Sequence, residues 1–235
     1  MCAWLSSSLG EEARAERYTL AAIRTATAAG ARRHVAASMS QLAVGHLIAG
    51  SPQDTLHLVH AARAVAQRPT AHFAASLHIR EALAFARLKD ETASSRALDH
   101  AVRVLDADDT DRKPVDDLSG IAINEAYLDV VRGHAWCFLG RPGKALPCFA
   151  TLFSSTPSSP TPSVSPCTAR RLLHAVDSQL AIGELDAATH STHRAVALTG
   201  TLPPGLAHKY RQRFLSHRNE PAIRGLLDLL ADTTP

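Results

Sequence analysis

Residues Gly133 to Phe149 read GHAWCFLGRPGKALPCF. Apolar residues run up to Leu139, a Gly-Arg-Pro-Gly group interrupts them, and small and apolar residues resume at Ala145. Glycine ends helices in the left-handed conformation, and proline suits the first position of the next helix. The stretch therefore predicts a helical hairpin, with arms over 121–139 and about 142–153. Pro147 falls inside the second arm, where a missing N–H and a bulky ring kink or delay a helix.

The rest of the chain supports helices and little else. Apolar residues make up 46% of the 235 residues, enough for a real core. Only 5% are aromatic, so alanine and leucine supply most of the apolar surface. Both are strong helix formers. A β-sandwich would want short alternating runs of valine, isoleucine and aromatics instead.

Turn signals divide the chain in order. Residues 1–9 read as the tail of a helix without a starting cap, as though a unit began upstream. Helices are expected over 13–29, ended by Gly30, and over 31–49, ended by Gly50. Ser51 can cap and Pro52 can open a helix that runs to Ala66. Thr70 is the expected cap of a helix over 71–88, and Asp90 of one reaching Leu105. The acidic segment 106–120 reads as a loop, and 154–166, rich in proline and serine, as a flexible connection. A hairpin over 168–198 turns at Gly183-Glu184. A short basic helix over 206–216 and an apolar one over 221–230 close the chain, with Ile223, Leu226, Leu227, Leu229 and Leu230 covering the last core edge.

The turns fall into one register. Gly10, Gly50, Lys89, Gly140 and Gly183 are each followed by a small residue five on: Ala15, Thr55, Ser94, Ala145 and Ala188. Nine on stand Thr19, Val59, Leu98, Phe149 and Thr192; twelve on stand Ala22, Ala62, Ala101, Leu152 and Ala195. The turns are 40, 39, 51 and 43 residues apart. Antiparallel helices approach closely only where small residues face each other. Larger apolar residues then fill the groove between one hairpin and the next, so the units must stack.

With Gly133, Trp136, Gly140, Ala145 and Phe149 on its pattern, the central unit resembles the tetratricopeptide repeat. The period departs from that family's usual value of about 34 residues. The alanine-rich hairpins with turns LGRPGKAL and AIGELDAA resemble, more narrowly, the C-terminal regulatory half of actinobacterial helix-turn-helix transcription regulators of the Cro/repressor type. The resemblance covers about Leu9 to Leu230. It implies one all-α domain over 1–235, a right-handed superhelix of about five stacked antiparallel hairpins. It also implies a non-catalytic interaction or sensory module, or alternatively a general protein-protein scaffold. Such regulators carry a DNA-binding domain ahead of the repeats. None stands in these residues, so contact with DNA is expected only through a missing or separate helix-turn-helix domain.

The resemblance further implies a concave groove lined by the first helix of each pair. The register places Ser76, Arg80, Leu83 and Arg87 there on one helix. On the next it places Tyr127, Val130, His134 and Phe138, and on the third Arg170, Leu173, His174 and Asp177. A protein or peptide segment is the expected occupant. A homo-oligomer is compatible with the same architecture.

Other chemistry lacks its signature. No G-x-S-x-G, phosphate-binding loop or H-E-x-x-H pattern occurs. An enzyme is not expected, nor a cofactor or metal. The pairs His57/His60 and His190/His193 share helix faces but want a third zinc ligand. A calcium loop opening at Asp106 needs Gly and Glu where Asp111 and Asp117 stand. Cys2, Cys137, Cys148 and Cys167 form no C-x-x-C pair. The net charge of +3 is too small for a dedicated nucleic-acid binder, although Arg32/Arg33, Arg170/Arg171 and 209–218 are locally basic. No apolar run has the roughly 18 residues of a membrane span, so a cytoplasmic location is expected.

Overall fold

The computed structural model describes residues 2–8, 11–107, 123–150, 152 and 166–231, with the backbone alone at 4, 5, 8 and 166–171. The helices are α1 (Cys2–Ser8), α2 (Glu12–Ala28), α3 (Arg32–Ala49), α4 (Pro52–Ala66), α5 (Ala71–Arg87) and α6 (Glu91–Asp106). They continue as α7 (Glu125–Leu139), α8 (Pro142–Cys148), α9 (Pro166–Ala181), α10 (Leu185–Thr199), α11 (Pro204–Phe214) and α12 (Pro221–Ala231). There is no strand among the described residues, and the chain is all-α. No described helix is long and apolar enough to cross a membrane. The acidic loop beyond Ala107 and the Pro/Ser stretch before Pro166 lie outside the described residues.

One turn is used five times. Gly30, Gly50, Lys89, Gly140 and Gly183 all have φ between +66° and +88°. In each, the N–H of that residue donates to the carbonyl three back, and the next N–H donates to the carbonyl five back. This pair of bonds satisfies the last carbonyls of one helix and starts the next at once. Lys89 does so without being glycine, and its ammonium donates to the carbonyl of Phe138.

Several helix ends differ from expectation, each for a local reason. Asn124 accepts a hydrogen bond from the Tyr127 N–H at 2.9 Å and so starts α7 at Glu125, later than 121. Pro147 cannot donate to the carbonyl of Gly143; α8 ends at Cys148, Phe149 is a turn, and Ala150 and Leu152 are helical again. Ser51 occupies a cap position, but its side chain makes no capping bond. Thr55 Oγ1 instead donates to the carbonyls of Ser51 and, across the hairpin, Ala43. Thr70 and Asp90 cap as expected, accepting from Phe73 and Ala93.

The core is strung along the chain rather than gathered in one place. One cluster joins Ala36, Ala43, Val59, Ala62, Phe73 and Leu77 from α3, α4 and α5. A second joins Ala75, Ile79, Ala101, Leu128 and Val131 from α5, α6 and α7, with Ile123. A third joins Val130, Ala145, Phe149 and Ala175. A fourth spans α9 to α12 and includes Leu173, Tyr210, Phe214, Ile223, Leu226 and Leu230. Each helix through α9 packs on the next, α10 also packs on α12, and α3, α5, α7 and α9 pack in sequence on one another. No hairpin buries its apolar stripe alone.

Burial follows the register read from the turns. The small residues at 15, 55, 94, 145 and 188 are all buried, and so are Thr19, Val59, Phe149 and Thr192. Leu98 and Leu152 are half-buried. Ala22 is exposed, against its place in the register.

Candidate functional site

Three helices that lie side by side, α5, α7 and α9, bring part of the expected groove together. At the end of α5 the Arg87 guanidinium lies 4.2 Å from the centre of the Phe138 ring. Phe138 meets the His174 ring edge-on at 6.4 Å. The His174 and His134 rings are 4.3 Å apart, and His134 lies 5.6 Å from Phe149. Arg87, Phe138, His174 and His134 thus form one continuous row across three helices, all half-buried. Phe138 is central to it, because an aromatic face attracts a cation and its edge attracts another ring.

Asp177 follows His174 by one turn of α9. Its partners are Lys209 at 3.9 Å and, in direct contact, Arg213, both on α11. Burial raises the Asp177 carboxyl above its ordinary range, and the two cations oppose that rise. Tyr210 beside it is buried, donates to the Leu173 carbonyl at 2.8 Å, and has its phenol held well above its usual range by burial and by Asp177. The basic segment 209–213 was legible in the sequence; its partner was not.

Other expected groove residues are used in packing. Arg80 donates from Nε to the Ser40 carbonyl at 3.1 Å and from Nη1 to the Ser76 carbonyl at 2.7 Å, which straps α3 to α5. Ser76, Val130 and Leu173 are buried. Leu83 and Tyr127 are half-buried against the second core cluster. The Arg170 side chain lies outside the described residues.

A second polar constellation escaped sequence reading. Glu81, buried on α5, accepts two hydrogen bonds from Arg63 of α4 at 2.9 and 2.8 Å. His78 Nδ1 lies 2.9 Å from it and His60 Nε2 3.3 Å. Burial would raise this carboxyl, but the hydrogen bonds from His78 and Arg63 overcome it and lower the pKa to about 2. His78 stacks on His100 of α6, their centres 5.4 Å apart. The cluster pins α4, α5 and α6 together. Its signal was a carboxylate four residues after Leu77, on the buried stripe of a helix.

Cys137 is a poor nucleophile. Burial pushes its thiol up to about 11, and Ser178 Oγ lies 3.0 Å away. Among the described residues no group of three or more His, Cys, Asp or Glu is placed to hold a metal ion. His57, His190 and His193 are exposed. No protein-family model, curated protein or solved structure matches this chain.

Proposed function

We propose that this chain is a tetratricopeptide-like right-handed superhelix that binds an extended protein or peptide segment, with no catalytic role. The observation that carries the reading is the row Arg87–Phe138–His174–His134, built across three neighbouring first helices of hairpins. An occupant lying across α5, α7 and α9 touches an aromatic ring, two imidazoles and a cation within one stripe. Helices pack about 8–10 Å apart, so an extended segment of about eight residues, roughly 26 Å long, crosses all three.

The turns LGRPGKAL and AIGELDAA, the alanine-rich hairpins and the shared register support kinship with the regulatory half of bacterial helix-turn-helix regulators, acting in the cytoplasm. On that reading the bound segment is a signal or a partner surface, and DNA is contacted by a separate domain.

Panning a display library of eight-residue segments against the full chain tests the binding reading. Enriched segments that compete with one another for a single site are the expected result. A library that yields no binder would overturn the proposal.

A further inference from the structure

Arg87 differs from the half-buried Arg63 and Arg80. Arg63 holds Glu81 and Arg80 holds two carbonyls. Arg211 also leaves its Nε without an acceptor, but it stands on α11, outside the row. Arg87 has no hydrogen bond and no ion pair among the described residues, and its Nε is buried without an acceptor. Burial alone acts on it and lowers its pKa. A buried donor without an acceptor costs free energy, and more so on a charged group. Stacking on Phe138 and the carbonyl end of α5 favour its charge but supply no acceptor to Nε.

We infer that Arg87, held flat on Phe138, is the anchor for one acidic side chain, aspartate or glutamate, of the segment that lies across α5, α7 and α9. The inference rests on the peptide-binding reading above and names the chemistry of its occupant. The planar guanidinium fork matches a planar carboxylate through two parallel N–H···O bonds. Neighbouring charges favour a single negative charge over a phosphate dianion. Lys89 is committed to the Phe138 carbonyl, and Arg141 and Lys144 both lie 3.9 Å from Glu91. A chain-terminal carboxylate is disfavoured because such termini are gathered by backbone N–H groups. The wall beside Arg87 is the end of α5, where N–H groups are already bonded back into the turn.

The test uses the full chain and eight-residue peptides enriched from the display library. Each acidic residue is replaced in turn by its amide, and separately a free C-terminus is compared with an amidated one. One replacement is expected to weaken binding about ten-fold or more, as the loss of a charge-assisted pair does. In Arg87→Gln that same replacement should have no further effect, and Arg87→Lys should recover only part of the affinity because the fork is lost. Amidation of the C-terminus should change nothing. Peptides that bind equally in acid and amide form, or equally to Arg87→Gln, would overturn the inference and leave the binding reading standing. A preference for phosphorylated peptides, or a strong effect of C-terminal amidation, would overturn it in favour of those ligands. The absence of any binding peptide would remove both.

Discussion

The ring of Phe149 lies so close to Gly133 that a Cβ at 133 would meet its Cε1 at 2.6 Å. Phe149 is fully buried between α7, α8 and α9, so its ring has nowhere to swing. Glycine here is a packing requirement, and it sets how closely the central hairpin closes. Gly133→Ala should destabilise the protein by about 1–3 kcal/mol through overpacking. Chemical denaturation measures it. The double variant Gly133→Ala/Phe149→Leu should lose less than the two single variants added together, since the narrower side chain makes room.

Lys89 should reveal the cost of the shared turn. It sits at φ +67° where four other turns use glycine. A residue with a Cβ costs roughly 1–2 kcal/mol in that conformation. Lys89→Gly and Lys89→Ala both remove the bond to the Phe138 carbonyl, so their difference isolates the backbone term. The glycine variant should be the more stable by about 1 kcal/mol. Equal stabilities would contradict the turn geometry.

Glu81 should give an acid-dependent stability. Its pKa falls from 4.5 to about 2 on folding. A lowered carboxyl contributes stability that is complete above the unfolded value and disappears as pH falls through the folded value. The contribution should therefore be full above about pH 4.5 and fade towards pH 2. Glu81→Gln should cost about 1–3 kcal/mol at neutral pH, with Arg63 and His78 left poorly paired. The gap between variant and parent should narrow below pH 4.5. A gap independent of pH over that window would show that the carboxylate charge is not what holds the cluster.

Cysteine reactivity should separate by burial. At pH 8 a thiol-alkylating reagent should modify exposed Cys2 well before Cys137, whose thiol is buried and raised to about 11. Peptide mass mapping over time reads the order. Early labelling of Cys137 would contradict the packing of α7 against α9.

Much of this architecture was legible because helical arrays are written in local signals. Left-handed turn residues, caps such as Thr70 and Asp90, and small residues at fixed distances from each turn all act within a few positions. The register worked because close helix approach demands small side chains wherever it occurs. It failed at Ala22, which is exposed. Long-range pairings were not legible. Glu81 finds Arg63 at a separation of 18 residues, and Asp177 finds Arg213 at 36. No local rule selects those partners among the chain's 25 lysines and arginines. The row at Arg87, Phe138, His134 and His174 was foreshadowed by the register, but the absence of an acceptor at Arg87 emerges only from the folded geometry.

The binding face can be tested by comparing a substitution within the row with one outside it. Phe138→Ala removes the ring on which Arg87 and His174 converge, while Arg96→Ala alters an exposed residue of α6. Both variants are first matched to the parent in helix content. Affinity for the library-selected segments is then measured by titration calorimetry. At least a ten-fold loss is expected for Phe138→Ala, as removal of an interface aromatic commonly produces, and no change for Arg96→Ala. Unchanged affinity in Phe138→Ala would contradict the proposed binding face.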